Sequence, residues 1–373
     1  MGRFVESLMG RRWLAWSILA LAIVVTMLAS VTVWVRREAL DTNNWTTVSS
    51  RLLENKDVRQ VIAADMVDAL FTNTDVEAGL RATLPPRLDP LAAPATGLLR
   101  EVAFNAADEL LQRPAVQSLW AEANRRAHQR LIAILDGKGG TLTTADGGAV
   151  ILDLRPMVDR LAQRLGVQAK ILPDAGRIEI MRSDQLSAAQ DAVKLVRRLS
   201  VLAAILALAL LALAVYVGRG FRWEVLRAIA LSLLGVGVVL LILRRLVGNA
   251  VIDSLTSAPT RSAGRATWLI GTGLLRDVAF GLISYGLVLL VGVLLAGPSG
   301  WATALRQRLA PAMRDHVALV YTAVGFLFLL FLLWGPASGS RRLVGVIVLA
   351  ALVAGGVEVL RRQILRESSP ASA

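Results

Sequence analysis

Two hydrophobic patterns alternate along this chain. Segments such as "WLAWSILALAIVVTMLASVTVW" (Trp13–Trp34) and "LSVLAAILALALLALAVYV" (Leu199–Val217) run without a single charge. Between them, from Glu38 to Val196, apolar residues return every few positions with charges in the gaps. An unbroken run of about 20 apolar residues matches a hydrocarbon core about 30 Å thick. Six segments have that character: Trp13–Trp34, Leu199–Val217, Trp223–Leu243, Val278–Gly297, Val317–Trp334 and Leu343–Leu360. The third and sixth are short of uncharged residues, so flanking arginines must snorkel to the interface. The first is 22 residues long and lacks an A-x-A cleavage site, which marks a retained signal anchor. The expectation is an α-helical integral membrane protein with six transmembrane helices.

The polar stretch changes period midway. "NWTTVSSRLLENKDVRQVIAADMVDALF" predicts two short helices with a break at Asn55-Lys56 and Asp57 as N-cap. "LPPRLDPLAAP" then interrupts helix, because proline fixes its own φ and restricts the residue before it. A further amphipathic run reaches Gln112, and Pro114 opens a helix at a favoured first-turn position. Its expected buried stripe is Val116, Leu119, Ala123, Ala127, Leu131 and Ile134, with Arg125, Arg126 and Arg130 facing water. From Gly139 the alternation becomes strand-like, with a hairpin turn at Asp146-Gly147. A short helix after Pro156 leads to a second strand pair, "VQAKIL" and "RIEIMR", turning at 173–176. The chain thus divides into 1–37, a tail and first span; 38–196, an inserted α+β extracytoplasmic domain; 197–366, a five-helix transmembrane bundle; and 367–373, a disordered tail.

The second strand pair runs straight into the membrane. In "RIEIMRSDQLSAAQDAVKLVRRLSVLAAILALALLALAVYV", Ser183 caps a helix with no Gly or Pro from Asp184 to Val217. Those 34 residues make a rod of about 51 Å at 1.5 Å per residue, more than the bilayer core requires. Leu186, Ala189, Val193 and Val196 form an apolar stripe on its polar half. Such a direct fusion would fix the domain's height over the membrane, as a flexible linker would not. Gly218–Trp223 makes the tight return.

Charge sharpens the picture. The net +13 would suit nucleic acid, but residues 38–196 hold 18 Lys+Arg against 21 Asp+Glu. The excess therefore belongs to the membrane segments, whose 23 basic residues are all arginine. That pattern favours anionic headgroups and argues against nucleic acid. With the N-terminus inside, 12 Arg flank the spans on the inner side and 11 on the outer, so orientation rests on the first span alone. Arg3, Arg11, Arg12 and the free amine lie before it with one acid, Glu6; Arg36 and Arg37 after it are balanced by Glu38 and Asp41. The expectation is a plasma-membrane protein with cytoplasmic termini and residues 38–196 outside.

Around "RIEIMRSDQLSAAQDAVKLVRRLS" the chain resembles a family of uncharacterised multi-pass membrane proteins of high-GC Gram-positive bacteria. In that family an alternating strand ends in S-D-[EQ]-L and the next helix enters the membrane. "WTTVSSRLLENKDVRQVIAADMVDALF" is similar to the same family's first ectodomain helices, with Lys56-Asp57 where the family has Asp-Pro. The resemblance covers roughly the first 220 residues. It implies an ectodomain between the first and second spans and carries no functional residues.

Candidate chemistry is sparse. There are no cysteines, and His128 and His316 are far apart, so disulfides, thiol catalysis and Cys- or His-rich metal centres are excluded. No catalytic, cofactor-binding or metal residues are assigned. Gly137-Lys138-Gly139-Gly140-Thr141 lacks phosphate-loop spacing and reads as a turn. Asp146 and Asp153 fit turn and strand positions; His128, among arginines, reads as solvated. His316 is explained by capping or by a bond to Asp315 at a helix start. Glu358, a carboxylate inside the sixth span, can pair with Arg361 and Arg362, and Asp277 beside Arg276 reads the same way. Gly235, Gly237, Gly281 and Gly286 suit close helix contacts. Four doublets, Arg36-Arg37, Arg197-Arg198, Arg244-Arg245 and Arg341-Arg342, fall at the outer ends of spans. They read as interfacial anchors, or more sharply as a collar for anionic lipid. Leu246–Leu275, broken at 257–259, is expected to form two amphipathic pieces with Trp268 at headgroup depth. Those pieces either cover the bundle or frame a groove for lipid.

This architecture favours a non-enzymatic envelope scaffold or assembly factor with anionic-lipid binding. Its partners would be lipids, membrane proteins or a second copy of itself. The alternative is a lipid or small-molecule transporter or permease-like subunit, for which Glu358 is the candidate acid.

Overall fold

The computed structural model describes residues 2–74, 76–83, 85–138, 142–144, 149–153, 177–334 and 343–367. Among the described residues, four helices are long and apolar enough to cross a membrane, over Gly10–Ala39, Gln185–Val217, Arg222–Leu255 and Gly273–Ala296. The chain is accordingly read as a multi-pass α-helical membrane protein. The fifth expected span is helical over its whole length, Val317–Trp334. The sixth lies within the helix Leu343–Glu367 and carries Glu358, Arg361 and Arg362 close together near its end. Length and composition of the described residues thus show four spans, and the fifth and sixth expected segments are helices at the expected places.

The helices are α1 (Gly2–Ala39), α2 (Thr42–Glu54), α3 (Lys56–Thr74), α4 (Val76–Thr83), α5 (Ala92–Gln112) and α6 (Pro114–Leu135). After three strands come α7 (Ser183–Val217), α8 (Arg222–Leu255), α9 (Arg261–Gly271), α10 (Gly273–Ala296), α11 (Gly300–Asp315), α12 (Val317–Trp334) and α13 (Leu343–Glu367). They fall into two compact units. One holds Met1–Trp34, Ser200–Ser257 and Gly271–Ala373; the other holds Val35–Leu199 and Ala258–Ile270.

In the first unit, α1 and α7 pack through small residues, Ala22, Ala29, Ala203 and Ala207, with Val25 and Leu210. Thr26 and Ser30 are buried in α1, where the Thr26 hydroxyl donates to the Ala22 carbonyl and the Ser30 hydroxyl to the Thr26 carbonyl. Close approach is tightest between α8 and α10. A Cβ on Gly237 would lie 2.7 Å from the Ala279 carbonyl oxygen, and one on Gly286 2.8 Å from that of Ala230. Gly235 and Gly281, also expected at close contacts, have no such neighbours within 3.4 Å. Helix α8 continues to Leu255, well past the expected end at Leu243, because nothing before Ser257-Ala258-Pro259 breaks it. The first of the two expected amphipathic pieces is thus the end of α8, and the second is α9.

The second unit is built on α2, α3, α5 and α6. Leu53, Ala63 and Leu111 form its buried centre, with Ile62, Phe104, Ala107, Val116 and Trp120 against them. Asp41 caps α2 by accepting from the amides of Asn43 and Asn44. The break before α3 falls at Asn55, whose side chain accepts from the Val58 amide at 3.2 Å, so Asn55 rather than Asp57 is the cap. Arg59 and Asp108 form a largely buried ion pair at 2.8 Å linking α3 to α5.

Helix α6 is rotated from its expected facing. Leu119 and Leu131 are exposed, while Trp120 donates to Ser49 and His128 is buried. Polar bonds to α2 win over the purely apolar stripe. Past α6, Gly137 takes φ +73°. The Gly137 amide bonds to Ile134 and the Lys138 amide to Ala133, a Schellman closure that accounts for these two residues as helix termination.

Strands β1 (Leu142–Thr144), β2 (Ala149–Asp153) and β3 (Arg177–Arg182) pair antiparallel in the order β1-β2-β3, with an irregularity at Val150/Ile151. The hairpin turn at Asp146-Gly147, the short helix after Pro156 and the strand "VQAKIL" lie outside the described residues. "RIEIMR" is β3, paired with β2. Helix α7 follows directly, 35 residues without interruption. Its stripe Leu186, Ala189, Val193 and Val196 is half-buried, as expected, while Asp191, Lys194 and Leu195 are exposed. Gln190 donates to the Ile134 carbonyl at 3.0 Å, which joins the start of α7 to the end of α6.

Candidate functional site

The arginine doublets are divided between the two units. Arg36, Arg37, Arg197 and Arg198 belong to the second; Arg244 and Arg245 belong to the first. Arg341 and Arg342 lie outside the described residues. In two doublets the partners do different work. Arg197 pairs with Asp136 at 2.7 Å, fastening α7 to the residue that ends α6, while Arg198 is exposed. Arg244 donates to the Thr272 hydroxyl at 2.8 Å, bridging α8 to the start of α10, while Arg245 is exposed. Successive residues on a helix point about 100° apart. One guanidinium of each pair can therefore lock helices together while its neighbour faces outward. Arg36 and Arg37, at the end of α1, are both exposed.

Asp277 is buried in α10 with Arg276 3.6 Å away. Glu358 accepts from Arg362 at 2.7 Å, with Arg361 at 3.6 Å, as its spacing predicts. A further partner comes from another helix: the Tyr321 hydroxyl of α12 donates to Glu358 at 3.2 Å. With two cations and a phenol around it, the carboxylate ties α12 to α13.

His128 overturns its expectation. It is 3% exposed, stacked on Trp45 at 5.0 Å, and bonded through Nε2 to the Ala39 carbonyl and through Nδ1 to the Thr42 hydroxyl. The carbonyl needs a donor, so Nε2 carries a proton and the ring holds α6 to the α1–α2 junction. His316 is exposed between α11 and α12, its carbonyl accepting the Val320 amide.

Sequence reasoning missed Arg306. It is 2% exposed and donates to the carbonyls of Leu295 and Gly297, closing the end of α10. A cation there suits both the unpaired carbonyls and the helix dipole. The clue was its position, nine residues beyond Gly297 at the Gly297-Pro298 break, in what reads as a short loop but folds as α11. Among the described residues no group of three or more His, Asp or Glu side chains is placed to hold a metal. Comparison with known protein families, curated proteins and solved structures finds no match.

Proposed function

We propose that this chain is a non-enzymatic plasma-membrane protein, an envelope scaffold or assembly factor that holds anionic lipid at the outer ends of its spans. In this reading residues 38–196 form an extracytoplasmic α+β domain, both termini are cytoplasmic, and α12 and α13 complete six spans. The observation that carries it is the split role within the doublets. Arg197 and Arg244 are held by Asp136 and Thr272, and this fixes the backbone from which Arg198 and Arg245 project. An exposed guanidinium on a braced helix binds a phosphate without first losing the freedom of its own support. The polar residues around Glu358 are mutually paired, which favours a bracing role over transport.

The test is lipid analysis of the purified protein. Arg198→Gln/Arg245→Gln is expected to lose co-purified anionic phospholipid while keeping wild-type thermal stability. Arg197→Gln is expected to lower stability instead. Unchanged lipid content in the double variant would reject the collar.

A further inference from the structure

One end of the first unit is rimmed by cations and aromatic rings. There the early turns of α1 meet the return between α7 and α8. Arg11 donates to the Val217 carbonyl at 3.4 Å; Arg12 pairs with Glu224 at 3.2 Å and lies 5.2 Å over the Phe221 ring. The Arg219 guanidinium sits 3.9 Å from the centre of the Tyr216 ring. Below this layer Leu19, Ala214, Val225 and Ile229 form a buried cluster, so the rim rests on packed helices. Gly218 makes the return tight enough: a Cβ there would lie 2.7 Å from Val225.

The rim combines two properties. Arg11, Arg12, Arg219, Arg222 and Arg227 are all exposed, and Glu224 among them is paired with Arg12. Trp13 is 73% exposed and Tyr216 57%, and Trp16 and Trp223 are also exposed. Large rings left open to water are unfavourable, whereas at headgroup depth their apolar body and polar edge are both accommodated. A guanidinium stacked on a tyrosine face keeps its N–H edge free for a planar, bidentate phosphate contact. Rings and cations on one rim therefore match a surface that is greasy on one side and anionic on the other.

We propose that this rim binds the headgroup phosphates of anionic phospholipid, with Arg219, Arg222 and Arg227 as its principal cations. It uses residues distinct from the doublets and stands whether or not the collar does. Each cation near an anionic surface changes partitioning by about fivefold at low salt.

The experiment uses the full-length protein in mixed micelles of phosphatidylcholine with a minor share of phosphatidylglycerol. Retained phosphatidylglycerol per protein is measured by mass spectrometry. In the Arg198→Gln/Arg245→Gln background, Arg219→Gln/Arg222→Gln/Arg227→Gln is expected to lower the remaining retention at least about fivefold. The corresponding triple Lys variant, which keeps the charge, is expected to hold most of it. Raising salt on the wild-type protein is expected to release the lipid, an arm that stands even if the Gln variant unfolds. Unchanged retention in the Gln variant, or wild-type retention indifferent to salt, overturns the proposal. Loss in Arg198→Gln/Arg245→Gln without further loss in the Gln triple variant would leave the collar and remove the rim.

Discussion

Gly237→Ala adds one methyl group to the seam between α8 and α10. The new carbon would stand 2.6 Å from Ile283 Cγ1 and 2.7 Å from the Ala279 carbonyl oxygen. Ile283 can change rotamer, but the Ala279 oxygen belongs to helix backbone and Ala279 is fully buried. The two helices must then part by roughly half an ångström or more, enough to forfeit about a quarter of the dispersion energy along the seam. Overpacking of this kind costs about 1–3 kcal/mol. Replacing Gly by Ala within a helix returns about 1 kcal/mol from propensity, so the net expectation is a loss of up to about 2 kcal/mol. Gly235 supplies the control: it lies two residues away in the same helix, and a Cβ there meets nothing within 4 Å. Gly235→Ala is expected to be neutral or stabilising by up to about 1 kcal/mol. Reversible unfolding in mixed micelles with increasing SDS, followed by tryptophan fluorescence, measures both. Equal midpoints for the two variants would refute the close α8–α10 contact.

Three further variants probe the second unit and the end of α10. Asp108→Ala leaves the buried Arg59 without its carboxylate and is expected to cost about 3 kcal/mol, read as lost hydrogen-exchange protection in α3 and α5. His128→Phe keeps a ring against Trp45 but abandons the Ala39 carbonyl, and is expected to cost about 1–3 kcal/mol by thermal unfolding. Arg306→Leu frees two carbonyls at the end of α10 and is expected to cost about 2–3 kcal/mol, measured by the same SDS titration as the glycine variants.

The membrane-length helices were legible because an uncharged run leaves few alternatives, and the α7 stripe was legible because its four residues are the apolar ones on that face. Helix α6 was not. Leu119 and Leu131 outweigh Asn124 and His128 on any hydrophobic scale. Yet the polar side chains find partners far away in sequence, Ser49 for Trp120 and Ala39 and Thr42 for His128. Periodicity counts apolar residues and cannot count bonds that close over 71 or 89 positions. The doublets stood out in the sequence, but which member braces and which projects depended on Asp136 and Thr272. Arg306 escaped because its acceptors are backbone carbonyls, which every sequence has.

Residues 38–196 outside the cell, with the α7–α8 return inside, is the proposed placement that puts the doublets at the outer ends of the spans and the rim at the inner ends. The chain has no native cysteine, so single cysteines report cleanly. Glu109→Cys and Gly220→Cys place one thiol at an exposed position in each region. Labelled in intact cells with a membrane-impermeant maleimide, Glu109→Cys is expected to react at once and Gly220→Cys only after permeabilisation. The reverse pattern would overturn this topology.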